Sequence, residues 1–199
     1  KHGNRPRFQY VLAQLYQWND ERELARHAYN KVLKMQPSNE MDFNARLNIA
    51  ELESSPQDAI KLLKKMVRLD KHKDQLDQIY GTIGNVYLAQ KDTVNALENY
   101  EQGIAESTQQ GSAKAKILIT AGDIYYEQRN YIKASPCYKE AAQILSAESE
   151  QYQRIQQRSE TLDELVVEHS MVLLQDSLQR LAALSIEEQR VVVDSIIAR

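Results

Sequence analysis

The sequence predicts an all-α protein built from helical hairpins that repeat along the chain. Small and aromatic residues recur at the three- and four-residue spacing of helix faces. The same ordered set of residues returns every 34 to 38 residues, which indicates a repeat architecture. Only 6 Gly and 4 Pro occur among 199 residues, so a loop-rich fold is disfavoured.

The hairpin pattern is most complete in residues 80–104. Small and aromatic side chains share one face of a first helix, a polar segment at 91–93 interrupts it, and a second helix follows. In this arrangement small residues permit close helix approach and aromatic residues fill the space between the helices. The residues that carry the pattern are Tyr80, Gly84 and Tyr87, then Ala96 and Tyr100.

Three further copies of this hairpin are recognisable. The first and fourth match closely, and the second is weaker because Leu47 replaces the small residue and Arg46 occupies an apolar position. In chain order the copies are Ala13, Tyr16, Ala25 and Tyr29; Leu47, Ala50, Ala59 and Leu63; Gly84, Tyr87, Ala96 and Tyr100; and Gly122, Tyr125, Ala134 and Tyr138.

Capping residues and a proline predict further details of the second helices. Asn19 or Asp20, and Asn130, are suited to cap the second helices of the first and fourth copies. Pro136 lies inside the last second helix and removes a backbone hydrogen bond, so we expect a kink near Ile132.

The chain after Leu145 is expected to form C-terminal helices outside the repeats. A helical stripe includes Tyr152, Ile155, Leu162, Leu165, Val166 and Leu173. Residues 175–177 are expected to break or cap this helix, and residues 185–188 read as a capping box. The last helix has an apolar face. We expect this face to dock on the array, to pair with another chain or to continue into a region outside this sequence. Its residues are Val192, Val193, Ile196 and Ile197.

The spacing and the order small–Tyr–Ala–aromatic, followed by Pro37 after the first copy, resemble the tetratricopeptide repeat (TPR). The resemblance covers residues 6–146 and implies four repeats at about 6–39, 40–73, 77–110 and 115–146, with 147–199 as a helical extension. It implies antiparallel helix pairs stacked into a right-handed superhelix, whose first helices line a groove.

The TPR resemblance places candidate partner contacts on the first helices. An Asn side chain both donates and accepts hydrogen bonds, which suits recognition of a peptide backbone. The paired Lys/Arg arrangement of the chaperone-type carboxylate clamp is missing, because its positions carry Tyr10, Asn44, Gly81 and Lys116. The candidate groove residues are Tyr10, Gln14, Trp18, Asn44, Asn48, Asn85, Asp123 and Tyr126.

Other chemistry is sparsely represented. The four histidines have no metal-ligand spacing, and the glycines lack the rest of a phosphate loop. Cys137, the only cysteine, is expected to pack in a helix. We therefore expect no catalytic residue, metal or cofactor. Lys61, Lys64, Lys65 and Arg68 form a basic patch that either complements a helix dipole or binds an acidic partner or anionic lipid.

Two stretches, 34–46 and 175–182, are similar to the SprE/PorW-type TPR lipoproteins of Bacteroidetes, which serve type IX protein secretion and gliding motility. The resemblance implies a periplasmic protein that links the secretion ring and the outer-membrane translocon. It also implies an outer-membrane lipid anchor on a cysteine outside this sequence. The chain opens on Lys1 without Met, so we read it as a fragment of a longer protein.

These features together predict a non-enzymatic scaffold that binds a protein or an extended peptide. A net charge of −3 disfavours general nucleic-acid binding. The alternative is a cytoplasmic adaptor that binds peptides or chaperones, for which a repeat array is equally suitable.

Overall fold

The computed structural model describes residues 4–197, except for the side chains of Asp70, Leu173 and residues 195–197. Residues 1–3 and 198–199 lie outside it, as do the predicted apolar contacts of Leu173, Ile196 and Ile197. The described chain is all-helical. Its α-helices are α1 (Arg5–Trp18), α2 (Arg22–Lys34), α3 (Asn39–Glu51), α4 (Pro56–Val67), α5 (Leu76–Ala89), α6 (Thr93–Glu106), α7 (Ser112–Glu127), α8 (Tyr131–Ile144), α9 (Tyr152–Ala182) and α10 (Ile186–Ile197).

The eight helices α1 to α8 form four hairpins that stack in chain order. Each helix packs mainly on its chain neighbours, and α5 also touches the first helices α3 and α7 on either side. The predicted all-α TPR-like solenoid is thus confirmed. Its small anchor residues are fully buried where the paired helices meet: Ala13, Ala25, Ala96 and Ala134.

The turns within the hairpins are tight. Asp20, Lys91 and Arg129 each adopt a positive φ near 60°, a left-handed conformation that ends the first helix. Asn130 caps α8 through a hydrogen bond from the Lys133 amide, as predicted. The prediction for the first hairpin was wrong, because Glu21 occupies the N-cap position of α2 and Asp20 supplies the turn instead.

A short 3-10 helix, Asp70–Gln75, lengthens the link between the second and third hairpins. His72 from this link is buried against Phe43, with the ring centroids 5.2 Å apart. Burial and the nearby Lys71 charge lower the pKa of His72. In the weaker second hairpin, Arg46 stays at the surface by bonding Asp42 at 2.9 Å.

Helix α9 is continuous from Tyr152 to Ala182, so the expected break at 175–177 does not occur. Its first half packs on α8 and buries Ile155 and Leu162. The predicted capping box is confirmed at the start of α10, where Ser185 and Glu188 exchange hydrogen bonds. Within the described part of the chain, no helix is both long and apolar enough to span a bilayer.

Candidate partner-binding groove

Two adjoining cavities lie along the first helices of the hairpins, and together we call them the central groove. The larger has a volume of about 440 Å³ and lies between α5, α7 and the start of α9. The smaller, about 290 Å³, lies between α3, α5 and α7. The cavities are continuous because they share four lining residues, Gly81, Asn85, Lys116 and Ile117.

A recurring tyrosine hydrogen bond orients groove residues from behind. The Tyr100 hydroxyl donates to Asn85 Oδ1 at 2.7 Å, and the Tyr138 hydroxyl donates to Asp123 Oδ1 at 2.6 Å. Both tyrosines are buried, and burial raises the pKa of Tyr100 to about 12. In the third and fourth hairpins, the second helix therefore fixes a polar side chain that the first helix presents to the groove.

Asp123 is the centre of the most highly connected polar cluster in the groove. Arg154 Nη1 donates to its carboxylate at 3.1 Å, and Arg158 Nη1 does so at 2.5 Å. The same Arg158 nitrogen donates to the Tyr138 hydroxyl at 2.7 Å, and its guanidinium lies 4.7 Å from the Tyr126 ring centroid. These contacts join α9 to α7 and α8, so α9 supplies one end of the groove.

Charge is distributed unevenly along the groove. Lys116 is exposed at its centre and forms no ion pair with any carboxylate that the structure describes. Glu51 lies toward the α3 end, where burial raises the pKa of its carboxyl and the Lys116 charge opposes that rise. Asp77 is buried there, and its two oxygens accept hydrogen bonds from the Gln78 amide and the Ser107 hydroxyl.

The predicted groove residues fall into separate places. Asn85 and Asp123 line the larger cavity. Tyr126 lines a different cavity of about 270 Å³ beside α9, where its ring packs edge-on against Tyr131. The other predicted residues belong to the first two hairpins and line neither cavity of the central groove; they are Tyr10, Gln14, Trp18, Asn44 and Asn48.

The amide of Asn48 is already committed within the protein. It donates to the Tyr10 hydroxyl at 3.2 Å and to the Asn44 carbonyl at 2.8 Å. Only its oxygen remains for a partner, whereas Gln14 and Trp18 are freely exposed on α1. The role of these side chains in binding stays a prediction.

The predicted basic patch lies on the exposed side of α4. Lys61, Lys64, Lys65 and Arg68 are all exposed there, and none of them lines the central groove. Lys65 borders another, mainly apolar cavity of about 180 Å³ between α2, α3 and α4.

Sequence reasoning missed Arg154, which lines the larger cavity, and Arg158, which contacts Asp123 from the neighbouring cavity beside α9. Their four-residue spacing places them on one side of α9, flanking the predicted packing residue Ile155. The available signal was the position of α9, which follows the fourth hairpin where the first helix of a further repeat would stand.

The Cys137 thiol is poorly suited to covalent chemistry. It is half-buried in α8, and burial raises its pKa to about 11, with the charges of Glu101 and Glu140 adding to the effect. Since the thiolate is the nucleophile, little is present at neutral pH. Among the residues with described side chains, no three His, Cys, Asp or Glu groups converge as metal ligands.

Comparison with known proteins agrees with this geometry. The tetratricopeptide repeat family model matches residues 6–39 and 115–144, which fall on the first and fourth hairpins. The comparison with curated proteins returned no match.

Several solved structures share the fold. BtubC from P. vanneervenii is 14% identical with a TM-score of 0.61, covering 82% of this chain and 73% of that one. PilF of Pseudomonas aeruginosa is 20% identical with a TM-score of 0.57, covering 94% and 80%. Kinesin light chain TPR-like repeats from Podosopora anserina are 18% identical with a TM-score of 0.56, covering 96% and 99%. At these identities the likeness concerns the fold alone.

The hairpins and their groove define a TPR-type helical solenoid. Within this solenoid, the first and fourth hairpins are the parts that match the tetratricopeptide repeat model. Solenoids of this kind present extended concave surfaces that are used for binding.

Proposed function

We propose that this chain is a non-enzymatic scaffold whose central groove binds an extended segment of another protein. The observation that carries the proposal is the continuity of the groove across α3, α5, α7 and α9. Its walls are packed helices, so little conformational entropy is lost when a partner binds. Asn85, held by Tyr100, offers a preoriented amide to a peptide backbone.

The proposal is tested by filling the larger cavity. Thr120 lines this cavity, and its hydroxyl bonds only the Lys116 carbonyl within its own helix. We expect Thr120→Trp to weaken binding of peptides selected from a phage-displayed random library about tenfold or more, or ~1.4 kcal/mol. Fluorescence anisotropy with labelled peptides measures the change.

Val94→Trp is the matched control, because Val94 is exposed on α6 and lies outside the groove. It adds the same indole and is expected to leave binding unchanged. Circular dichroism and thermal melting confirm that both variants fold. Selected peptides that bind wild type and Thr120→Trp equally would exclude the groove as the binding site.

We propose further that the scaffold serves type IX secretion from the periplasm, as an outer-membrane-anchored lipoprotein in its full-length form. The similarity of residues 34–46 and 175–182 to SprE/PorW-type proteins supports this role. A lipid-modified N-terminal cysteine in the full-length protein, and in-cell cross-links to ring and translocon components, are the expected results. A full-length protein that fractionates with the cytoplasm would favour the adaptor alternative.

A further inference from the structure

The geometry points to a carboxylate-binding subsite in the larger cavity, between the centre of the central groove and its α9 end. We infer that Lys116 and Arg154 bind an Asp or Glu side chain within the partner segment. The inference rests on the proposed peptide-binding function and specifies which chemistry that groove selects.

Positive charge is in excess in the larger cavity. Asp123 is the carboxylate that lines it, and two guanidinium groups, those of Arg154 and Arg158, already contact that one carboxylate. Lys116 adds a third cation from α7 and has no described ion-pair partner. The cluster therefore carries excess positive charge that an incoming carboxylate would neutralise.

The larger cavity also offers unused hydrogen-bond donors. Arg154 bonds Asp123 through Nη1, and a guanidinium carries more N–H donors than this contact uses. Because Asn85 Oδ1 accepts from Tyr100, its amide nitrogen is the group left to interact with a ligand. The lining around Lys116 is thus rich in donors, which suits an acceptor-only group such as a carboxylate.

Charge also changes along the length of the central groove. Glu51 and Asp77 give the α3 end negative groups, Lys116 lies at the centre, and two arginines against the single Asp123 carboxylate make the α9 end positive. This gradient favours a segment whose acidic residue lies between Lys116 and the α9 end. A nucleic-acid backbone fits less well, because it would carry repeated phosphates past Glu51 and onto a chain of net charge −3.

The test uses random peptides whose C-termini are fused to the phage coat, so that carboxylates within the segment are offered. We expect enriched sequences to share an Asp or Glu at one position. Synthetic versions with amidated C-termini are then measured by fluorescence anisotropy. Lys116→Gln and Arg154→Gln should each weaken binding about tenfold, and replacing the shared peptide acid by its amide should do the same in wild type.

The matched control is Lys64→Gln, which removes another exposed lysine from α4, outside the groove. It should leave affinity unchanged. In the Lys116→Gln, Arg154→Gln double variant, the acid and amide peptides should bind alike. Lys116→Gln keeps the test independent of folding, since the Lys116 side chain forms no described ion pair.

The outcomes separate the two proposals. Two results would overturn the carboxylate subsite and leave the peptide groove standing. In the first, peptides weakened by Thr120→Trp share no acidic residue. In the second, these peptides bind Lys116→Gln as tightly as wild type. A poly-dT oligonucleotide that binds the groove more tightly than the acidic peptides would also overturn it. Failure to enrich any peptide sensitive to Thr120→Trp would overturn both.

Discussion

At the scale of single residues, the small residue in each first helix sets how closely a tyrosine approaches. In the third hairpin Gly84 lies directly against the Tyr100 ring, and a Cβ added there would overlap it. The close approach lets the Tyr100 hydroxyl reach Asn85, the residue that follows the glycine. The fourth hairpin repeats this arrangement with Gly122, Tyr138 and Asp123.

The first hairpin shows the alternative. Ala13 replaces glycine there, and Tyr29 bonds Gln17, four residues further along α1, at 2.7 Å. Gln14, which corresponds to Asn85, receives no tyrosine bond and is exposed. We interpret the choice of Gly or Ala as deciding whether a groove side chain is held from behind.

We expect Gly84→Ala to lower the free energy of unfolding by about 1–2 kcal/mol. Overpacking against Tyr100 costs about 1–3 kcal/mol, and the better helix propensity of Ala returns up to ~1 kcal/mol. Urea unfolding followed by circular dichroism measures the change.

Gly122→Ala is the control at the equivalent position. An added Cβ would lie 3.1 Å from Tyr138 Cε1 and 3.2 Å from Cys137 Cβ, which is tight but lacks the overlap found at Gly84. Its effect should be near zero, since strain and propensity offset each other. Equal losses for both variants would contradict the argument that ring overlap at Gly84 is decisive.

The ionisation of a single residue, Asp42, is expected to make the free energy of unfolding depend on pH. Hydrogen bonds from Arg46, and then from Lys71, lower its pKa from the usual 3.8 to about 2. The ionised form is thus favoured in the folded state, so its stabilisation is present above pH 3.8 and is lost as pH falls toward 2.

We expect Asp42→Asn to remove on the order of 1–2 kcal/mol of stability at neutral pH, because both cations are partly exposed and screened. The difference in unfolding free energy between wild type and variant should shrink between about pH 4 and pH 2. Thermal unfolding across that range measures it. A pH-independent difference would show that ionisation of Asp42 is not responsible.

At the scale of elements, α9 has two dissimilar halves. Its first half buries Ile155 and Leu162 and places Arg154 and Arg158 on Asp123. Its second half exposes a stripe that nothing covers among the described residues: Val167, Met171, Leu174 and Leu178. Only the first half therefore contributes to the stability of the array.

A truncation series should separate these halves. A chain ending at residue 166 is expected to melt within about 2 °C of the full chain, because the removed side chains that the structure describes are largely exposed. A chain ending at residue 151 should lose about 3–6 kcal/mol, since two buried side chains are worth roughly 1.5–3 kcal/mol each. Calorimetry measures both, and a large loss for the longer chain would contradict this division.

At the scale of the whole molecule, the core is divided into three clusters along the array. One joins the first hairpin to α3, one joins the second hairpin to α5, and the largest joins the third and fourth hairpins to α9. Since extensive contacts link only near neighbours, local stability should follow local packing.

We expect Tyr29→Ala to weaken one end of the array alone. Removing a fully buried aromatic side chain costs about 3–5 kcal/mol. Native-state hydrogen exchange should show reduced protection in α1 to α3 and unchanged protection in α7 to α9. Tyr138→Ala is the reciprocal variant, and uniform loss of protection across the chain in either would refute this local behaviour.

Much of the array follows from sequence spacing. The positions of Ala25, Ala96 and Ala134 indicated the second helices, and all three are fully buried. The aromatic residues were predicted to fill the space between the helices, and Tyr100 and Tyr138 are buried there. Such features are local, because a helix face and its turn are set by residues a few positions apart.

The sequence by itself determined the helical hairpins, their order and the packing role of the tyrosines, because each depends on short-range periodicity. The tertiary structure alone decided that α9 closes the groove, bringing Arg154 beside Asp123 and near Lys116. Arg154 in α9 is 31 residues from Asp123 in α7, and the two meet only because the helices stack. Side chains that converge across stacked helices leave no periodic signal, so the candidate subsite emerged only from the fold.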